Sequence, residues 1–478
     1  MDTTRVVPTT FRIGDRTLSV ASGGEMEHVN PANGEVTAAF PLAATEELDE
    51  AASVGRSALG QWAAVPGARR AEIPRSIAST IRSEHAQLSA LTTLEAGAPV
   101  ATADFVTAGS ADWFDYYAGW ADRLIGEQIP MPRMLDYTVH EPVGVVALVL
   151  TWNAPITGIG MKAAAALVAG CSVIVKPPEL APYTLLRFAE LCSEAGLPDG
   201  VLTVLSGDGR LGEALVSHLG VAKVSFTGGP ETGRRVQAVA ACNVTPVLLE
   251  LGGKSANLVF DDADIERAVG ASVRAHHDGR PDLRGRDPAV RAAWRLRAGG
   301  RRPAGVPRPR HDRRRHRPRD PHGAVISEAA ATRLAGHISS AKERGDGELV
   351  CGGDRLERAG SYLRPTVFAD VDNNCSLVQE ELFGPVLAVT PFDDEDEAVA
   401  LANDTKYGLA AYVHTNNLAR AHRLASRLDA GLVSMNGAMP ATAPHAPFSG
   451  FKGSGYGKEG GLSGILEFCR TKNVCVAL

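Results

Sequence analysis

Between residues 143 and 251 the chain alternates short β-branched runs with stretches of helical periodicity, and this alternation constrains the fold more than any other feature. "VGVVALVL" (143–150) leads to "GMKAAAALVAG", "SVIVKP" to "TLLRFAELCSEAG", "VLTVLSG" to "GRLGEALVSHLG", "AKVSFTGG" to "ETGRRVQAVAAC", and "TPVLLELGG" follows. Short strands separated by helices form βαβ units, and right-handed crossovers turn such units into a parallel sheet covered on both faces. Sheets of this kind bind ligands beyond the carboxyl ends of their strands. Three strand ends here carry polar or glycine-rich turns, at 176–179, 226–233 and 250–254.

The flanks are of other kinds. Residues 45–65, 69–97 and 102–126 place apolar side chains at three- and four-residue intervals, which predicts amphipathic helices facing a core. Residues 129–144 are bounded by proline with a short β-prone centre, which suits a hairpin arm better than a core strand. The tail "ILEFCRTKNVCVAL" is also β-prone and suited to pair with that arm, in the same or another subunit.

No apolar run approaches the ~18 to 20 residues that span a bilayer, and the N-terminal residues lack the apolar core of a signal peptide, so a cytoplasmic protein without membrane contact is expected. A net charge of −6 gives no general attraction to nucleic acid. Seven scattered cysteines show no CxxC spacing, which points to reduced thiols and to no metal site.

One stretch departs from this texture. From 276 to 322 there are 15 Arg, no Lys, 5 Asp and no Glu, in a chain whose overall charge is negative. Many unpaired charges cannot enter a core, so this segment is expected to be disordered. A nucleic-acid patch is a poor reading of it, because aromatic residues are not interleaved with the arginines.

Individual motifs narrow the chemistry. In "VSFTGGPETG" a strand ends in Gly228-Gly229, with Pro230 suited to a first helical position, so free backbone N–H groups and a helix dipole can meet a phosphate. A structural strand-to-helix turn accounts for the same letters. "VIVKPPE" reads either as a binding segment or as a proline-stopped strand with solvated charges. In "LLELGGKSANLVF", Glu250 is flanked by apolar residues at the end of a buried strand, where desolvation would raise its pKa toward that of a general base. A carboxylate satisfied by nearby N–H groups is the alternative.

Taken together, and in order, "TWNAP", "VIVKPPE", "FTGGPETG", "LELGGKS", "EELFGPV" and "PFSGFKGSGYGKEGG" resemble the motifs of the aldehyde dehydrogenase superfamily, over nearly the whole chain except roughly 276–322. The resemblance implies oxidation of an aldehyde to a carboxylic acid with NAD. It assigns Asn153 as donor to the oxyanion and Glu250 as the base that activates the deacylating water. It gives Trp152, Lys176, Glu179, Gly229, Gly233, Glu381 and Phe383 to the cofactor: Lys176 and Glu179 at the adenosine ribose, Gly229 and Gly233 at the pyrophosphate turn, Glu381 and Phe383 at the nicotinamide riboside. Gly229 stands where many members have serine, which leaves only its backbone N–H. The acidic Glu179 disfavours a 2′-phosphate and so favours NAD over NADP.

The implied architecture is α/β: a Rossmann-like parallel-sheet dinucleotide-binding domain from 1–130 and 143–250, a second α/β catalytic domain over 251–458, and a β oligomerisation arm from 131–142 and 459–478. A homodimer or homotetramer is implied as well.

The family reaction needs a cysteine nucleophile about thirty to fifty residues beyond the Glu motif, in a "GQxC" stretch. That window reads "AHHDGRPDLRGRDPAVRAAW" and holds no cysteine. Cys242 lies eight residues before Glu250, about 20 to 26 Å away if most of the interval is strand. Arg, Pro, Gly and His without Lys or Glu is the signature of GC-rich DNA in a shifted frame. Read one base forward, the codons of 279–291 are compatible with Gly-Gly-Gln-Thr-Cys-Val-Ala-Gly-Thr-Arg-Leu-Phe-Val, the cysteine codon straddling Leu283 and Arg284. Compensating frameshifts over the catalytic loop, from a pseudogene lesion or a sequence error, are therefore the expectation, with a genuine basic insertion as the alternative reading of the stretch; for the function, a catalytically inactive NAD-binding or structural paralogue is the alternative to an active enzyme.

Overall fold

The structure, a computed structural model, describes residues 7–268, 281–284, 323–438 and 443–478. The alternating region forms a six-stranded sheet in the order Gly455–Tyr456, Val247–Leu251, Lys223–Gly228, Val145–Val149, Ser172–Lys176, Leu202–Val204. All pairings are parallel except that of Gly455–Tyr456 with Val247–Leu251. The chain begins this sheet in the middle, at Val145–Val149, builds outward in one direction, then returns to build in the other. The reversal therefore lies between Val145–Val149 and Lys223–Gly228, the place at which sheets of this kind bind ligands in a crevice at their carboxyl ends.

The covering layers follow from the apolar patterning. Helix Pro155–Ala169 is buried almost throughout, because "AAAALVA" presents small side chains on every face and lets other helices approach closely. On it packs helix Val100–Ala118, where Gly160 permits contact: a Cβ there would sit 2.9 Å from Ser110 Oγ. The expected helix over 69–97 is divided into Gly67–Arg70, Glu72–Ser83 and His85–Ala96. Pro74 falls in the first turn of the second piece, where its missing N–H costs no bond, and Gly97 ends the third at φ 68°. The helix expected over 102–126 runs from Val100 to Ala118; residues 119–122 turn instead of continuing it.

A second, seven-stranded sheet runs Glu348–Cys351, Thr366–Ala369, Val386–Thr390, Pro281–Arg284, Ser255–Val259, Ala410–His414, Leu432–Met435. Only its first pairing is antiparallel. The backbone of Pro281–Arg284 thus lies inside this sheet, with Leu283 in register with Asn257 and Val389. The rest of the expectation for 276–322, including its disorder, falls outside the described residues.

Gln128–Met131, Met134–Pro142 and Cys469–Ala477 form a three-stranded antiparallel sheet. The β-prone tail accordingly pairs with the arm of its own chain, from Cys469 opposite Pro142 to Ala477 opposite Met134. Among the described residues no helix is long and apolar enough to cross a membrane, and none forms a His, Cys, Asp or Glu cluster suited to a metal.

Candidate active site

The carboxyl ends of the first sheet gather most of the residues singled out in the sequence. Trp152 and Asn153, both half-buried, occupy the loop between Val145–Val149 and helix Pro155–Ala169, whose first position is the proline of "TWNAP". This loop borders the crevice at the reversal point. On the other side Gly228 ends its strand and the exposed Gly229 caps helix Pro230–Ala241, again with proline at the first helical position.

The glycines of that turn have different reasons. A Cβ on Gly229 would meet nothing within 4 Å, so the space above this helix N-terminus is open to a ligand. Gly233 is instead a packing glycine: a Cβ there would lie 2.5 Å from Leu251, at the end of the Glu250 strand. Gly233→Val should push the helix off the strand and cost about 1 to 3 kcal/mol, the usual scale for overpacking, as read from the urea midpoint. An unchanged midpoint would show that the helix has slack here.

Lys176, the last residue of its strand, is 5 % exposed. Its Nζ lies 2.9 Å from Glu179 Oε1 and donates to the Pro177 carbonyl at 3.1 Å. Burial lowers the lysine pKa, and the carboxylates of Glu179 and Asp208 oppose that shift. The pair presents a fixed ammonium and a half-exposed carboxylate beside the same crevice.

Glu250, 5 % exposed, is the penultimate residue of Val247–Leu251, in register with Thr227 on one side and Gly455 on the other. Two residues beyond that strand the chain meets a group from the segment that leads into strand Val386–Thr390 of the second sheet: the Gly253 N–H donates to Glu381 Oε1 at 3.1 Å. Gly252 allows this, since a Cβ there would be 1.8 Å from Glu381 Oε2. Phe383, with a left-handed φ of 54°, sets its ring edge-on to Trp152 at 4.9 Å between centroids. Glu381 and Phe383 thus bring the "EELFGPV" segment against the loops that carry Glu250 and Asn153. Those two loops leave strands two places apart, about 10 Å at the usual strand spacing.

Two contributors escaped the sequence reading. Ser454, fully buried, accepts from Leu251 N through its carbonyl at 3.0 Å, and its hydroxyl donates to the Gly252 carbonyl at 2.7 Å, so it fixes the turn after Glu250. Lys162 and Glu459 form a buried ion pair, with Lys162 Nζ also 2.8 Å from Ser225 Oγ. A lone lysine in the apolar run "GMKAAAALVAG" was the available signal, since a charge in such a helix must find a partner.

None of the seven cysteines stands at these strand ends. Cys171 precedes the Ser172 strand, at the amino end of the sheet, and burial pushes its thiol up to about 12. Cys192 is buried in helix Tyr183–Glu194, its thiol also raised by burial. Cys242 follows the far end of helix Pro230–Ala241, Cys351 ends the edge strand of the second sheet, and Cys375 precedes the short helix Ser376–Gln379. Cys469 and Cys475 belong to the arm.

Comparison with known proteins agrees with this layout. The model of the aldehyde dehydrogenase family matches residues 19–278 and 313–474. The chain belongs to that family. Solved aldehyde dehydrogenase structures superpose over nearly its full length: betaine aldehyde dehydrogenase from Staphylococcus aureus, in complex with NAD+, is 32% identical with a TM-score of 0.91, covering 98% of this chain and 95% of that one. PnpE from Pseudomonas sp. WBC-3 is 32% identical with a TM-score of 0.91, over 98% and 97% of the two chains. An NADP-dependent enzyme from E. coli is 32% identical with a TM-score of 0.90, over 99% and 98%. The gap in the aldehyde dehydrogenase family match, between 278 and 313, falls within the arginine-rich stretch.

Proposed function

We propose that this chain carries the NAD site, oxyanion donor and base of an enzyme oxidising an aldehyde to a carboxylic acid, in a copy whose nucleophilic thiol is missing. The carrying observation is the convergence of Asn153, Lys176–Glu179, Gly229 and Glu250 on the carboxyl ends of one sheet around its reversal point. Lys176 and Glu179 would hold the adenosine ribose, the Gly229 turn the pyrophosphate, and Glu381 with Phe383 and Trp152 the nicotinamide end. Bound there, NAD would accept a hydride from the substrate carbon.

The chain's own groups have separate roles. The Asn153 side-chain amide would donate to the oxygen that gains charge when a thiolate adds to the aldehyde. Glu250 would take the proton of the water that releases the acid. The thiolate itself has no source among the cysteines, and this favours the second reading, an NAD-binding paralogue without turnover. In either case the exposed apolar side chains of the arm, Ile129, Met131 and Val476 among them, suit pairing with a second copy, in keeping with a homodimer or homotetramer. Seven free thiols suit a reducing compartment such as the cytoplasm.

Titration calorimetry on the chain as it stands should register NAD binding, with NAD preferred to NADP, and Glu179→Ala should narrow that preference. Absence of heat with NAD, on a sample that melts cooperatively, overturns the cofactor reading.

A further inference from the structure

The segment between Lys176 and helix Tyr183–Glu194 is held from behind by a residue with no assigned role. Glu95, 0 % exposed, belongs to helix His85–Ala96. Its carboxylate accepts from the Tyr183 N–H at 2.6 Å and from the Thr184 N–H at 3.2 Å. These are first-turn donors of helix Tyr183–Glu194, whose cap residue is Pro182 and whose N-terminus has no side-chain cap of its own. Glu95 thus caps this helix from another element, 88 residues away in sequence.

A second residue completes the hold. His28 Nε2 faces the Glu95 backbone carbonyl at 3.2 Å, and the Leu180 carbonyl also bonds to this imidazole. A carbonyl can only accept, so Nε2 carries hydrogen. His28 Nδ1 meets Thr37 Oγ1 at 3.1 Å, its ring stands edge-on to Tyr183 at 5.0 Å, and the Tyr183 hydroxyl donates to the Ala38 carbonyl at 2.8 Å. Leu180, Tyr183 and Thr184 are therefore tied, through backbone and through the Tyr183 hydroxyl, to helix His85–Ala96 and to strands Glu25–Val29 and Val36–Pro41, while Glu179, one residue before Leu180, pairs with Lys176 at the strand end.

We infer that Glu95 is a positioning residue for the adenosine side of the cofactor site: by capping the helix that follows the Lys176–Glu179 turn, it sets where Glu179 meets the ribose. This rests on the cofactor reading above. The carboxylate is the better acceptor for two N–H groups and the better partner for a helix N-terminus, so the hold is strongest when Glu95 is ionised.

Burial raises the Glu95 pKa to about 7, against the opposing bonds from Thr184 and Tyr183, so the hold weakens as pH falls through neutrality. The titratable neighbours on the packed elements are Tyr183, whose pKa burial raises and which stays uncharged from pH 6 to 8, and His28, whose pKa burial lowers so that it charges only below its ordinary 6.5, in the unaltered chain and in Glu95→Gln alike. Lys176, whose pKa burial lowers, loses charge as pH rises, which would weaken binding in the opposite direction.

ADP-ribose, whose own charge is constant from pH 6 to 8, is the probe. In the unaltered chain its affinity should fall about three- to fivefold between pH 8 and pH 6, the scale of one charge–dipole contact. Glu95→Gln should abolish that slope and bind at pH 8 with about the affinity the unaltered chain shows at pH 6. Glu95→Ala should bind more weakly still.

Stability should move the other way. A carboxyl whose pKa is raised by folding loses stability as pH climbs from its unfolded value through about 7, so Glu95→Gln should melt no lower than the unaltered chain at pH 8. A purely structural cap would instead lower the melting temperature and leave the pH slope in place, and that result overturns the inference. Affinity for ADP-ribose that is the same in all three proteins overturns it too. Failure of the unaltered, cooperatively folded chain to bind ADP-ribose at all overturns the cofactor reading itself.

Discussion

Aldehyde oxidation by the chain as it stands is expected to lie below detection. In the proposed reading Asn153 and Glu250 would stabilise and deacylate an adduct, but forming it requires a thiolate, and the seven cysteines lie in or at the ends of helices, on sheet edges, at the amino end of the first sheet or in the arm. Loss of the activated nucleophile costs on the order of 10⁶ in turnover in subtilisin, which leaves nothing measurable at ordinary enzyme concentrations. Leu283→Cys should not rescue the activity. Its backbone is held in the second sheet, in register with Asn257 and Val389, and a nucleophile must reach about 3 Å from the carbonyl carbon in a set orientation. Restoring the shifted frame across about 276–322 should rescue it, with NADH appearing at 340 nm and lost on thiol alkylation. Ordinary turnover by the unrestored chain would show that both the frameshift and the missing nucleophile are misread.

In the restored background, Glu250→Gln should separate the two halves of the reaction. In the proposed mechanism hydride transfer needs the adduct and Asn153 but not Glu250, so a rapid first turnover of NADH should persist. Release of the acid needs a base for water, and losing a general base costs about 10² to 10⁴. The expected trace is a burst near one NADH per active site followed by a slow phase, seen by stopped-flow absorbance. The placement of Glu250, buried at the end of a strand next to a turn fixed by Ser454 and Glu381, suits a group held for one task. Equal loss in the burst and the slow phase would move Glu250 out of the deacylation step and into adduct formation or folding.

The sequence by itself determined the parallel sheet of 143–251, because β-branched runs alternating with helices leave few other ways to bury both faces. It also placed Lys176, Gly229 and Glu250 at strand ends, since each follows an apolar run that stops at a turn. That no cysteine stands between Cys242 and Cys351, and that the texture breaks at 276–322, were legible from the residues alone. Tertiary structure decided what depends on contacts between distant segments. The helical stretch expected over 69–97 breaks at Ala71 and at Glu84, for the ends of helices follow local bonds that periodicity does not record. Glu381 reaches Gly253 across 128 residues, Glu459 pairs with Lys162 across 297, and Glu95 caps a helix 88 residues on. None of these follows from spacing, because a buried charge is satisfied by whichever partner the fold brings to it, and only the packed chain names that partner.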